Sequence, residues 1–294
     1  YRPSNRPCSD TETAGRTACT GQRRTSDRIL FRQSEPTMKV KEITAILEEA
    51  APLFLQENYD NSGLLVGDPE AEIDSALICV DATESVVAEA AEVGAGLVLS
   101  HHPVIFHPLK RLTGGSYIER TVAEAVRRGI ALYACHTNLD SAPEGMSRML
   151  GNLLGLRNVI LLEPTATEMP GSGFGIVGEP EHVLPTEEFL RTVRDRLSLK
   201  CIKYSGITRP TVRRVALCTG AGASMMSAAK RAGADVYLSA DFKYNDFLDA
   251  DRDIGHFESE YCAIDLIYEI IRKKMPTFAL HKSMRSVNPV NYLT

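Results

Sequence analysis

Two histidines stand side by side in the stretch 99-LSHHPVIF-106, where His101 and His102 close an apolar run just before Pro103. Neighbours on a strand point to opposite faces, so a pair inside a strand could not serve one site. Pro103 removes a backbone donor and restricts His102, which predicts a strand end where both rings can turn toward one point. Two further histidines carry an acidic residue four positions on: His136 with Asp140 in HTNLD, and His256 with Glu260 in HFESE. On a helix that spacing places both side chains on one face. Imidazole with carboxylate suits Zn, Mn, Fe, Co or Ni, and the absence of cysteine from the group argues against a structural zinc finger. The donors exceed what one tetrahedral ion needs. Two divalent ions about 3.5–4 Å apart, sharing a carboxylate, would use them and would activate water between them. His107, His182 and His281 lack such context and read as surface residues.

These residues need elements to position them. The segments 79-CVDATESVVAEAAEVGAGLVLS-100 and 218-CTGAGASMMSAAKRAGADVYLS-239 align without a gap at an offset of 139. Each reads as strand, turn, helix of about ten residues, a terminating glycine (Gly94 or Gly233) and a second strand. Such alternation implies right-handed βαβ units and a mainly parallel sheet. Two copies predict an α/β protein of two similar lobes from an internal duplication, with 38–165 as the first lobe and 166–294 as connector and second lobe. Ligands of parallel α/β sheets gather beyond the carboxyl ends of strands. His101 and His102 lie there in the first copy, and Asp241 is the equivalent of His102 in the second. After HTNLD, Ser141, Pro143 and Glu144 fit a capped helix start, followed by apolar residues at helical spacing from Met146 to Leu154. The turn 218-CTGAGAS-224 is a weak fit to a dinucleotide fingerprint and reads first as a tight turn. Asp60 and Asn61, in 58-NYDNSGLLVG-67, are placed on a loop and read as a structural turn before any role at a pocket mouth.

The chain of 294 residues is 44% hydrophobic and 24% charged, ordinary for a globular protein, with a net charge of −5. That charge argues against a dedicated nucleic-acid surface, and no apolar run approaches the roughly 20 residues of a membrane span. The seven cysteines are scattered, with no CxxC pair and no secretory signal, which predicts reduced thiols in a cytoplasmic protein. Residues 1–37, rich in Arg, Ser and Thr, lack apolar periodicity and read as an unstructured extension.

Taken in order, YDNSGLLVG, SHHPVIF, HTNLD, GADVYLSADFKY, GHFESE and NPVNY resemble the Nif-three-like family of dinuclear metal-centre proteins from Met38 onward. Many bacterial members are called GTP cyclohydrolase 1 type 2 homologue. The resemblance implies two α/β lobes, a homohexameric ring, and metal ligands at His101, His102, Asp140, His256 and Glu260, with Glu260 bridging. It places His136 beside the metals or as the catalytic acid–base group, and leaves open which histidine serves which ion. The span Glu163–Pro210 is too short for the extra domain some members insert, and Ala240 and Asn245 replace a glycine and a histidine usual in the family. By resemblance the activity is metal-dependent hydrolysis of a nucleotide-like substrate, GTP by the family name. A metal-dependent phosphoesterase and a non-enzymatic metal scaffold, chaperone or regulator are the alternatives.

Overall fold

The strand Ser75–Asp81 is buried along nearly its whole length, and its residues sort strictly by parity. Ala76, Ile78 and Val80 enter one hydrophobic core, while Leu77 and Cys79 enter another on the opposite face. A strand covered on both faces belongs in the interior of a parallel sheet. The computed structural model, which describes residues 37–165, 168–249 and 252–293, places it there. Residues 1–36 of the expected extension lie outside the described residues.

The first sheet has five strands in the order Ala279–Lys282, Ser75–Asp81, Leu97–His102, Ala131–Ala134, Gly63–Val66. The first four run parallel and Gly63–Val66 is antiparallel at the edge. The second has six, in the order Lys203–Tyr204, Arg252–Asp253, Val236–Ala240, Val215–Ala221, Gly173–Glu179, Arg157–Pro164. Here the expectation of a mainly parallel sheet needs correction. Arg157–Pro164 and Gly173–Glu179 are joined by a short loop and therefore pair antiparallel, and Gly173–Glu179 is antiparallel to Val215–Ala221. The sheets also cross the division drawn at residue 165. Arg157–Pro164 belongs to the second sheet, and Ala279–Lys282 returns to the first beside Ser75–Asp81. The supposed connector holds the strand Gly173–Glu179 and the helix Thr186–Arg196.

The strand–helix–strand unit recurs in both sheets, with a difference in the helix. Glu84–Val93 starts cleanly because Thr83 Oγ1 accepts from Val86 N, and it ends at Gly94 with φ 76°. The residue equivalent to Thr83 is Gly222, which has no side chain to cap with. The second copy accordingly opens as a 3₁₀ turn, Ala223–Met225, before the six-residue helix Met226–Arg231. The capped start expected at Ser141 is also corrected. Ser141 closes the short helix Thr137–Ser141, and Met146–Leu153 begins after Gly145. A Cβ at 145 would lie 2.1 Å from Leu139 O, so the chain turns too tightly there for any other residue.

One core joins the lobes. Val40, Ile43 and Leu47 from the first helix meet Ile264, Ile267 and Ile271 of the helix Ala263–Lys274, together with Leu99, Leu150, Ile176, Leu217 and Leu238. Cys79, Cys135, Cys218 and Cys262 are buried and free, and Cys201 is free and exposed. Among the described residues no helix is long and apolar enough to cross a membrane.

Ile267 is fully buried where this second-half helix meets first-lobe residues. Ile267→Ala should cost about 2–5 kcal/mol, as large-to-small core changes do. Denaturant unfolding should show a lowered midpoint in a single transition, since the core is shared.

Candidate metal centre

His101 and His102 both lie within the strand Leu97–His102, which extends one turn of the pleat further than Pro103 led us to expect. They reach one point because each ring is pulled to the sheet's carboxyl edge from its own side. His101 Nδ1 donates to Cys135 O at 2.9 Å, beyond the end of the neighbouring strand. His102 Nδ1 donates to Asp81 Oδ1 at 2.8 Å, and Asp81 is its register partner on the adjacent parallel strand. The ring centroids are 5.0 Å apart. His136 precedes the helix Thr137–Ser141 and donates from Nδ1 to Asp60 Oδ1 at 2.7 Å. His256 opens the helix His256–Glu260 and donates from Nδ1 to Asp241 Oδ2 at 2.7 Å. Carboxylates and carbonyls only accept, so Nδ1 of each ring carries a proton and Nε2 is the nitrogen that faces the centre.

Glu260 is 3% exposed and lies between two sets of donors. Its Oε2 is 2.8 Å from His102 Nε2 and 3.0 Å from His256 Nε2. Its Oε1 is 3.6 Å from His101 Nε2, which is in turn 3.9 Å from Asp140 Oδ1. The groups His102–His256–Glu260 and His101–Asp140–Glu260 each have ligand atoms within 4.8 Å of one another, as does His101–His102–His136. Gly220 makes the room: its φ is 61°, and a Cβ there would stand 2.1 Å from Glu260 Oε1. Gly220 holds in the second strand–helix–strand unit the place that Asp81 holds in the first. Behind Glu260, Ser259 Oγ accepts from Gly220 N at 3.0 Å and fixes the short helix to its own sheet.

The donor set could hold a metal ion. His101 Nε2 and Glu260 Oε2 are buried, and no partner meets either with hydrogen-bond geometry. His102 Nε2 and His256 Nε2 face each other at 3.4 Å, a contact that attracts neither as two lone pairs nor as two N–H groups, and that a cation accepting both nitrogens would relieve. Ligand atoms of a tetrahedral ion with bonds of about 2.1 Å are about 3.4 Å apart. The nearby thiols do not compete, since burial pushes Cys135, Cys218 and Cys262 up to about 12 and keeps them protonated.

Electrostatics in the metal-free protein follow from the same crowding. Burial presses His102 and His256 down, but Asp81 and Glu260 raise His102 to about 10, and Glu260 and Asp241 raise His256 to about 9. For His101, burial is likewise outweighed by Glu260 and Asp140, and it is raised. Burial pushes Glu260 up, yet the surrounding imidazoles hold it well below the carboxylate range. Asp140 is raised by its own burial despite His101. Asp60 is held low: burial is overcome by hydrogen bonds from His136 and Thr137.

A cleft of about 450 Å³ opens on one side of the centre, lined by Tyr59, His136, Asp140, Phe174, His256 and Glu260 among others. All six site residues read from the sequence thus converge. Three carboxylates in direct contact with them were missed as partners. Asp60 was read as part of a turn; its side chain is buried and also accepts from Ser62 Oγ and Thr137 N. Asp241 was placed correctly at the equivalent strand end, without its partner. Asp81 carried no signal beyond its place at the end of an apolar run. His107 and His182 are exposed and His281 is half-buried in the strand Ala279–Lys282, so none of these three joins the centre. Ala240 is buried, while Asn245 is exposed.

The sequence model of Duf34/NIF3 (NGG1p interacting factor 3) matches residues 38–289. A Clostridium perfringens protein named GTP cyclohydrolase 1 type 2 homolog is 32% identical over 244 residues, covering 81% of this chain and 93% of its own. A crystal structure of a Staphylococcus aureus hypothetical protein superposes with a TM-score of 0.81 at 24% identity, covering 88% of this chain and 100% of its own. A Bacillus cereus protein related to NIF3 gives 0.79 at 22% identity, with the same coverage. The α/β architecture is therefore shared with solved NIF3 proteins.

Because His102 and His256 titrate at about 10 and about 9, both are protonated near pH 7 without metal. Metal binding at pH 7 should release at least two protons per chain, with a further share from the raised His101, read from the buffer-ionisation dependence of calorimetric heats, and fewer as pH approaches 10. Their folded values lie above the unfolded 6.5, so the metal-free protein gains this stability fully below pH 6.5 and loses it as pH rises through 9–10. Thermal unfolding across that window should show the decline only without metal.

Proposed function

That the chain belongs to the Duf34/NIF3 family is the premise from which we propose a metal-dependent hydrolase, with two divalent ions per chain, acting on a nucleotide-like substrate. One ion is assigned to His101, Asp140 and Glu260, the other to His102, His256 and Glu260. The supporting observation is that one buried carboxylate presents its two oxygens to two separate donor groups. When bound, such a pair supplies Lewis acidity and makes water a usable nucleophile near neutral pH.

The protein's own part is to orient substrate and move protons. His136 faces the centre and the cleft with Nε2, while Asp60 holds its Nδ1 proton. That is the arrangement of a general base whose tautomer is set from behind. Tyr59, 64% exposed at the cleft, and Phe174 offer ring faces to a planar base. None of the described residues lining the cleft is Lys or Arg, so an anionic group on the substrate depends on the bound ions for countercharge. The relatives' name, GTP cyclohydrolase 1 type 2 homolog, supplies the first substrate to try.

Elemental analysis should give about two metal equivalents per chain, fewer in His102→Ala, and a loss at both positions in Glu260→Ala. Loss of a single equivalent in Glu260→Ala would refute the bridge. His136→Ala should keep its metal and lose turnover by about 10²–10⁴-fold, scored as formate release from GTP beside phosphate release. Phosphate without formate would make the protein a phosphoesterase. Full metal with no turnover of either kind would leave a metal scaffold.

A further inference from the structure

The motif 288-NPVNY-292 lies on a segment that leaves the first sheet and crosses to the helix bearing His256 and Glu260. Its root is tied firmly to the first lobe. Ser283 N donates to Ile78 O at 2.8 Å. The buried Glu89 carboxylate accepts from Ser283 Oγ, from Met284 N at 2.8 Å and from Arg285 N at 3.2 Å. Val80 N, next to Asp81, donates to Ser286 Oγ at 2.9 Å. From this root, Asn288 Nδ2 donates to Glu258 Oε1 at 2.8 Å, and Asn288 Oδ1 accepts from Val290 N at 2.8 Å. Both ends of the Asn288 amide are used, and its orientation follows from them. Val287 and Pro289 then line a second cavity, of about 570 Å³, together with His102 and Asp81.

Glu258 is the middle residue of the five-residue helix His256–Glu260. A single turn that short does not hold its own shape in water. Ser259 secures it to the second sheet through Gly220, and Asn288 secures it toward the first lobe. We propose that the segment Ser283–Val290 is a strap, and that Asn288 is a positioning residue which, through Glu258, sets the seat of His256 and Glu260 opposite His102. The strap then determines how firmly the His102–His256–Glu260 group holds its ion, and bears less on His101–Asp140, which are placed by the first lobe's own strand and helix. This rests on the metal-binding reading above.

The test uses the metal-loaded full chain and follows transfer of metal to a coloured chelator. N288D sets a carboxylate against Glu258 while keeping the acceptor for Val290 N. N288D/E258Q restores a donor–acceptor pair with the direction reversed. In N288D one of the two equivalents should leave about tenfold faster, with the other, which shares only Glu260 with the displaced helix, changed less, and N288D/E258Q should return to near the wild-type rate. Unchanged release in N288D, faster release of both equivalents alike, or no rescue in the double variant each overturns the strap. If the wild-type chain holds no metal, the metal reading fails instead. Hydrogen exchange at the amides of 256–260 then decides the strap alone: protection lost in N288D and regained in N288D/E258Q upholds it, and unchanged protection refutes it. Asn288 is half-buried, and an unaltered unfolding midpoint confirms that the variants fold.

Discussion

A carboxylate taken almost wholly out of water must be compensated, and Glu260 is the group on which this architecture turns. Leaving such a charge unpaired in a protein interior costs several kcal/mol. Here three imidazoles surround it, two near one oxygen and one near the other. Each has its opposite nitrogen occupied, His101 by the Cys135 carbonyl, His102 by Asp81 and His256 by Asp241. The compensation is therefore layered: two carboxylates and a backbone carbonyl orient the imidazoles, and the imidazoles face one central carboxylate. Gly220 is part of the same constraint, since any side chain there would occupy the space of Glu260 Oε1.

That arrangement requires two sheets to present their carboxyl edges to each other at a set distance. The shared core provides this. The helix Ala263–Lys274 follows directly on the ligand-bearing turn and packs with the first helix, so the segment carrying Glu260 is anchored in both halves. The return of Ala279–Lys282 to the first sheet, and the hydrogen bonds of the strap beyond it, close the same connection. A site built across lobes would be loose if the lobes moved independently. A common hydrophobic core, with its dense packing, prevents that.

Much of this was legible before any coordinates. The apolar strands ending near Asp81 and His102, the aligned strand–helix–strand units, and the four-residue spacing in HTNLD and HFESE are all local patterns, which a sequence displays directly. Errors arose where local signals competed. Pro103 places both histidines just past the strand, but pairing of Asp81 with His102 carries the strand through them. Ser141 and Glu144 imitated a capping box, while a close approach to Leu139 O demanded glycine at 145 and moved the helix start. The second copy's helix shortened because Gly222 cannot cap as Thr83 does.

The sequence by itself determined which residue types were available to the site, how they were spaced within each short motif, and that the frame was α/β. Tertiary structure alone decided their partnerships. Asp60 meets His136 across 76 positions, Asp81 meets His102 across 21, and Asp241 meets His256 across 15. It likewise decided that His102 faces His256 and that His101 shares Glu260 with Asp140, a division left open by the motifs. The reason is physical. Spacing along a helix or strand fixes direction over a few residues, whereas contacts between distant segments depend on strand register and on how two sheets pack, and these are set by the whole core.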